Sequence, residues 1–402
     1  MSLADRLTLL RTGFTRTFWV ANIIELFERF AYYGSKAILA VYVADQVGLG
    51  PEKAGWLVGS LFNTLLYLLP ILAGTVVDRF GFKKSLLACF GIFSVGYFLI
   101  GLGGLPAGQP LVAALGIEIY MVIALVVTAV GGSLIKPSIV GTVARTTTHE
   151  TKGLGYSIYY TLVNIGGAVG PLLAMQVRQS LGISYVLVMS SLISLLLVLA
   201  TLLFFREPER PADAPPERSM GKVVADMLLV FGNLRFMTFL VIFSGFWMMF
   251  WLIFYALPFY VRDVLHFERF ELIETVNAWT IIFVTVPITA LAKKLAPMTA
   301  MTIGFLLASC CWFVMGAFPT ILMTVAAIVL FALGESLQAP RYYEYVADLA
   351  PKDQVGTYMG FAFLPIAIGT FVAGALGGHL VAKYIEPFKQ GVEGAAPPQQ
   401  MW

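Results

Sequence analysis

Charge is scarce in this sequence: 12% of its 402 residues are Asp, Glu, Lys or Arg. A soluble domain carries about a quarter, so an ordinary solvated surface is excluded. Cysteine is scarce as well. Cys89, Cys310 and Cys311 all fall in apolar runs, where a small soft side chain packs and neither a disulfide frame nor a thiolate metal site is implied. Histidine is limited to His149, His266 and His379, scattered at loops and a helix end. No Ser/His/Asp set, metal cluster or phosphate loop accompanies them, which argues against an enzyme and gives no reason to expect a cofactor. The formal net charge of +3 comes without a basic patch interleaved with aromatics, so nucleic acid is not an expected partner. Met1 to Arg16 holds Arg6, Arg11 and Arg16 but no apolar core ending in small residues, so no cleavable signal is read there.

Hydrophobic residues, by contrast, make up 59% of the chain, with a mean hydropathy of +0.84. Apolar windows of about 20 residues recur between short polar breaks, the signature of membrane-spanning helices rather than of a β-barrel. Eleven such windows fall near 18–47, 54–77, 84–105, 111–143, 153–177, 183–205, 236–262, 272–292, 297–317, 319–348 and 354–382. The expected class is therefore an all-α polytopic membrane protein, with the lipid bilayer as its surroundings. Basic residues concentrate in alternate loops, including Arg79, Lys83, Lys84, Arg145, Lys152, Arg206, Arg210, Arg218, Lys222, Arg235, Lys293, Lys294 and Lys352. The other loops have Lys53, Arg178, Arg262 and Arg269. By the positive-inside rule this asymmetry places the amino terminus in the cytoplasm; the membrane is expected to be the plasma (inner) membrane.

A polar stretch rich in Pro, Glu and Arg, followed by an amphipathic run from Met220 to Phe231, divides the chain. The expected organisation is an amino-terminal bundle of six helices over 1–205, a cytoplasmic linker over 206–235 and a second bundle over 236–402. Only five windows are visible in the second half. A twelfth helix is expected to be missing from the carboxyl end, the alternative being a natural eleven-helix protein. Two six-helix halves around a central site is the architecture of rocking transporters. Gly166 with Gly170, and Gly374 with Gly378, form small-residue pairs that permit close helix contact.

Glu25, Glu28 and Arg29 interrupt the first window, with Phe30, Tyr32, Tyr33 and Lys36 following. Each ionised group at a helix centre costs about 2.5–3.5 kcal/mol on a translocon scale, so such groups pair, line a polar cavity, or handle protons and solutes. Helical spacing puts two acids, two bases and phenols on one face. Between the second and third windows, Gly74, Asp78, Arg79, Gly81, Lys83 and Lys84 form a loop that resembles the signature of the major facilitator superfamily. A turn glycine with an acid and flanking bases can latch one conformation.

Glu25-Leu-Phe-Glu28-Arg29-Phe30-Ala-Tyr32-Tyr33-Gly34 resembles the E-x-x-E-R-F-x-Y-Y-G motif of the proton-coupled oligopeptide transporter family (POT/PTR) of that superfamily. Further segments are similar: Gly131-Gly132 leading to Lys136-Pro137, Tyr156 to Tyr160 leading to Asn164 and Gly166, and Glu335, Pro340, Val346, Leu349, Ala350 and Pro351 in the tenth window. The resemblance implies a major facilitator fold and a symporter importing di- or tripeptides, with protons as the coupling ion. It implies proton coupling through Glu25, Glu28, Arg29, Lys136 and Glu335. It implies substrate contacts from Arg29, Tyr32, Tyr33, Lys36, Tyr67, Lys136, Asn164, Asn277 and Glu335. Arg29, Lys36 and Lys136 would form a positive pole for a substrate carboxylate, and Glu335 with the two asparagines a negative pole for its amine. A monomer is expected, since each chain would contain its own pathway.

The sequence also departs from the family. Ala362 stands where an aromatic is usual, so a roomier pocket is expected there. Arg341 and Glu344 stand where small residues are usual, as an inner gate or a local ion pair. The seventh window has no ionised residue before Arg262, so an ion pair between the halves from that helix is not expected. Asp45 and Glu118 read as solvated helix-end charges. These departures leave a second function open, a family member diverged toward a non-peptide organic anion or amphiphile, even an exporter. A non-transporting membrane scaffold or sensor is a third, against which the intramembrane charges argue.

Overall fold

The computed structural model describes residues 12–148, 150–209, 220–350 and 355–402. Arg6, Arg11, His149, Arg210, Arg218, Pro351 and Lys352 lie outside the described residues. All regular structure among the described residues is helical. In lipid this satisfies all but the terminal backbone donors and acceptors within each segment.

Among the described residues, eleven long helices form the body: α1 (Arg16–Val41), α2 (Gly50–Phe80), α3 (Phe82–Gly103), α4 (Ile117–Arg145), α5 (Lys152–Leu181), α6 (Ser184–Phe204), α7 (Leu234–Val264), α8 (Phe270–Ala292), α9 (Pro297–Ala317), α10 (Ile321–Leu349) and α11 (Tyr358–Lys389). A linker helix, Met220–Phe231, lies between α6 and α7. The ten from α2 to α11 are long and apolar enough to cross a membrane. At 26 residues α1 spans about 39 Å at 1.5 Å per residue; Glu25, Glu28, Arg29 and Lys36 are what make it less apolar than the rest.

Helix ends follow local chemistry. Thr15 starts α1 by accepting a hydrogen bond from Phe18 N at 3.2 Å, and Asn233 does the same for α7 from Phe236 N at 3.1 Å, each satisfying an orphan donor. The end of α2 turns through Gly81 at φ +83°, a left-handed conformation that glycine adopts without strain. The carboxylate of Glu207, from the segment after α6, then accepts from the first amides of α3, Phe82 N at 2.8 Å and Lys83 N at 2.6 Å. The positive end of α3 is thereby held by an anion. The expected latch comprised Gly74, Asp78, Arg79, Gly81, Lys83 and Lys84; Glu207, which accepts these two amides, lies outside that set.

Helix α1 packs on α5 and α6, α3 on α4 and α6, α7 on α11, and α10 on α8 and α9. Across the linker, α2 packs on α11 and α5 on α8. The glycine pairs lie in these contacts, as expected. A Cβ at Gly170 would meet Phe30 O at 2.9 Å, and one at Gly378 would meet Pro51 O at 2.6 Å.

The end opposite the amino terminus is closed. Ser60 Oγ donates to Phe371 O at 2.6 Å, Asn63 Nδ2 to Tyr255 OH at 2.7 Å, and Tyr255 OH shares a 2.6 Å bond with Thr370 Oγ1. Arg178 of α5 holds Glu271 of α8, Nε to Oε1 at 2.5 Å, and donates to Glu268 O at 2.7 Å. Arg262 at the far end of α7 pairs with Asp45 beyond α1, at 2.7 Å. This corrects two expectations: an ion pair from the seventh helix does join the parts before and after the linker, and Asp45 is paired rather than merely solvated. The pair forms where the ends of α7 and α1 converge, beyond the apolar part of the seventh window. Glu118 keeps its solvated position, contacting Lys53 with both side chains about half exposed. At the carboxyl end Trp402 packs on Trp312 and Tyr260.

Candidate functional site

The ionised cluster of α1 is buried, and Gly166 of α5 makes the room. A Cβ there would collide with the Cβ of Arg29, so a glycine is what lets α1 and α5 close around the arginine. Arg29 Nε lies 3.2 Å from Glu25 Oε1 and also contacts the Glu28 carboxylate. Its guanidinium stands 4.9 Å from the centre of the Tyr32 ring, a cation–π contact strengthened by the exclusion of water. One buried cation shared by two carboxylates leaves a charge to be offset. The balancing base is Lys136, delivered by α4, whose helix breaks at Leu134 after Gly131 and Gly132. Lys136 Nζ donates to Tyr159 OH at 3.3 Å, and Tyr159 OH donates to Glu25 Oε1 at 3.4 Å. A phenol that accepts from the ammonium and donates to the carboxylate thus joins α4, α5 and α1. Tyr159 was absent from the expected site, although it lies in a segment singled out by the sequence.

A cavity of about 530 Å³ lies beside this cluster, within the roughly 300–1,000 Å³ range of small-ligand sites. Glu28, Arg29, Tyr32, Tyr67 and Lys136 border it, with apolar walls from Leu66, Ile71, Ile135, Val140, Phe361 and Phe363. Gly74 and Asp78 also border it, near the end of α2 that lies level with the start of α1. The cavity therefore runs from the charged cluster toward the amino-terminal end, while the opposite end is closed by the bonds given above.

The remaining expected residues lie off this volume. Asn277 Nδ2 donates to Glu335 Oε2 at 3.0 Å, joining α8 to α10. On the cavity wall itself, Tyr32 and Tyr67 share a hydroxyl contact at 3.4 Å, and the Tyr67 ring meets Trp251 edge-on. Asn164 turns its amide to Tyr160 O on its own helix, at 2.8 Å. Lys36 is not beside the cavity: its ammonium lies 3.5 Å from the ring centre of Phe254 and 4.0 Å from that of Trp251, with Phe250 and Tyr33 next. The expected positive pole is divided, with Arg29 and Lys136 at the cavity and Lys36 in a cage of rings, most of them from α7. Tyr33 borders that cage rather than the cavity.

At the end level with the amino terminus, Arg341 binds Glu344 and donates to Leu295 O at 2.7 Å, tying α10 to the turn between α8 and α9. Ala362 is fully buried and does not itself border the cavity, although Gly360, Phe361 and Phe363 beside it do. Its carbonyl accepts from Tyr342 OH at 2.9 Å, and the Tyr342 ring stacks on Phe243 at 4.1 Å. The aromatic run after Pro340 occupies the neighbourhood that the small residue leaves.

A family model described as Major Facilitator Superfamily matches residues 21–374. The Di-/tripeptide transporter of Lactococcus lactis subsp. cremoris is 28% identical over 226 residues, 51% of this chain and 42% of that protein. Dipeptide and tripeptide permease B of Shigella dysenteriae serotype 1 is 30% identical over 188 residues, 46% of this chain and 36% of that protein. The matches thus span less than half the length of these curated relatives. Among solved structures, a POT family transporter in complex with 5-aminolevulinic acid superimposes with a TM-score of 0.72 at 19% identity, covering 91% of each chain. The nucleoside transporter NupG superimposes with a TM-score of 0.73 at 15% identity, covering 96% of this chain and 95% of that one. At such identities the likeness shows the fold alone, and the major facilitator fold is the one expected from the sequence. The chain is a multi-pass membrane protein that belongs to the Major Facilitator Superfamily, and within it its sequence resembles the proton-coupled oligopeptide transporters.

Proposed function

We propose that the protein is a proton-coupled symporter that imports di- or tripeptides, or peptide-like solutes, across the plasma (inner) membrane by alternating access. The observation that carries this reading is the cluster itself: Glu25 and Glu28 share Arg29 on the wall of a cavity closed at one end. The amino terminus is cytoplasmic, so the cavity opens inward. The bundles 1–205 and 236–402 rock about the seams between α2 and α11 and between α5 and α8, with 206–235 as the link. Each chain works as a monomer and needs no cofactor or chemical step.

A substrate carboxylate takes Arg29 bidentately and Lys136 as a point charge. Its ammonium goes to Glu335, which Asn277 orients. When substrate occupies Arg29, Glu25 and Glu28 lose their cation and accept a proton, so substrate and proton bind in one linked equilibrium. Relatives named as di- and tripeptide transporters support the substrate class. A second reading, transport of a non-peptide organic anion or amphiphile, draws on the apolar cavity walls and on the seclusion of Lys36. Uptake of a labelled dipeptide into liposomes under an inward proton gradient decides between them. Accumulation that Glu335→Gln removes supports peptide symport; no accumulation in the wild type, beside an active relative, contradicts it and moves the substrate to anions or amphiphiles.

A further inference from the structure

The polar face of α8 does not end at Asn277. Glu271, Glu274 and Asn277 stand three residues apart, so successive turns present them on one side of the helix. Glu271 is held by Arg178 of α5, and Asn277 by Glu335 of α10. Glu274, between them, is 4% exposed, and neither of its carboxylate oxygens has a hydrogen-bond partner among the described residues. An ionised carboxylate in that position has lost its water with nothing in return, so it needs either a proton or a cation. The charged groups that act on it are Glu271, already committed to Arg178, and Lys36 of α1. Those that act on Lys36 are Glu274, Glu335 and Arg29.

Lys36 is the complementary anomaly. It is 7% exposed, and the ring faces of Phe254, Trp251 and Phe250 stand in for its water. An acid without a partner on α8 and a base with π partners on α1 thus lie on helices that pack against each other. The cage rings and Glu274 belong to different helices beyond the linker. Any movement of α1 relative to α7 therefore re-partitions the ammonium between ring cage and carboxylate.

We propose that Glu274 and Lys36 form a second proton-exchange pair of the transport cycle, separate from the cluster around Arg29. While Lys36 sits in its cage, Glu274 carries a proton. When Lys36 leaves the cage to pair with Glu274, the carboxyl O–H bond breaks and the proton passes to water in the pathway. The ammonium stays charged and no other bond changes. This rests on the symport reading for its role in coupling, but the existence of the pair can be read without any substrate.

Infrared pH-difference spectra of the purified full chain report protonated carboxyl groups through their C=O stretch. A carboxylic-acid component should be present in the wild type, absent in Glu274→Gln and restored in Glu274→Asp. In Lys36→Gln that component should leave the difference spectrum yet remain in the absolute spectrum across the titration, because the cation that displaces the proton is gone. Superimposable spectra of the wild type and Glu274→Gln, or unchanged titration in Lys36→Gln, would overturn the pair. In liposomes, losing one coupled proton lowers limiting substrate accumulation about tenfold per unit of pH gradient, so Glu274→Gln should show that loss while substrate counterflow continues. Unchanged accumulation would overturn its role in coupling. If the wild type moves no peptide while the infrared result holds, the peptide reading fails and the pair stands.

Discussion

Gly374→Ala should open the end of the bundle opposite the amino terminus. A Cβ at Gly374 would lie 2.5 Å from Gly55 O and Ser60 N and 2.7 Å from Gly59 Cα. All three are backbone atoms, so no side-chain rotation relieves the clash. Ordinary contact begins at 3.4 Å, so α2 and α11 must separate by about 1 Å. That displacement strains Ser60 Oγ to Phe371 O, at 2.6 Å, and Thr370 Oγ1 to Gly59 O, at 3.3 Å. Overpacking a tight contact costs about 1–3 kcal/mol. Charged to one state of a two-state equilibrium, this shifts the populations by about 5- to 150-fold. Spin labels at Lys53→Cys on α2 and Lys383→Cys on α11, in a background lacking Cys89, Cys310 and Cys311, read the separation by pulsed electron resonance. The variant should gain a longer-distance population at the expense of the short one. Superimposable distributions, in protein that remains folded, would refute the claim that this glycine seam holds the end closed.

Other variants separate coupling from architecture. Tyr159→Phe removes the hydroxyl that joins Lys136 to Glu25. Hydrogen bonds to charged groups contribute about 1.5–3 kcal/mol, so if the bridge acts in coupling, gradient-driven uptake should fall by up to about 10- to 150-fold; a change within about twofold would mean the bridge is not used. Glu207→Ala should do the reverse, lowering the thermal unfolding midpoint through the loss of a helix cap, about 0.5–2 kcal/mol, with proton coupling per substrate unchanged. An unaltered midpoint would show that the α3 amides find other acceptors.

Much of this protein was legible because intramembrane charge is rare. The same scarcity that made the bundle obvious drew the eye to Glu25, Glu28 and Arg29, and the structure brings them together on one buried face of α1. Glycine spacing likewise pointed to real contacts, since a missing side chain at Gly166 or Gly378 has one physical use, close approach. What was missed depends on tertiary convergence. Glu207 sits in a polar linker, where a carboxylate carries no signal until α3 presents its amides. Asp45 and Arg262 lie more than two hundred residues apart, and helical periodicity relates neither to the other. Lys36 shows a different limit: its spacing placed it on the polar face of α1, but rings from α7 claim it. Glu274 was the avoidable omission. It lies in an apolar window, three residues from Asn277, and the cost argument applied to α1 applies to it equally.

Charge movement on substrate addition tests the central claim most directly. Proteoliposomes held at zero membrane potential and equal pH on both sides, on a solid-supported electrode, would receive a step in dipeptide concentration. A zwitterionic peptide carries no net charge, so current reports protons alone. The account predicts an inward positive current in the wild type that Glu28→Gln abolishes, with dipeptide counterflow still measurable in that variant. A wild type that accumulates dipeptide without current, or a Glu28→Gln protein that retains it, would contradict proton coupling through the cluster shared by Arg29.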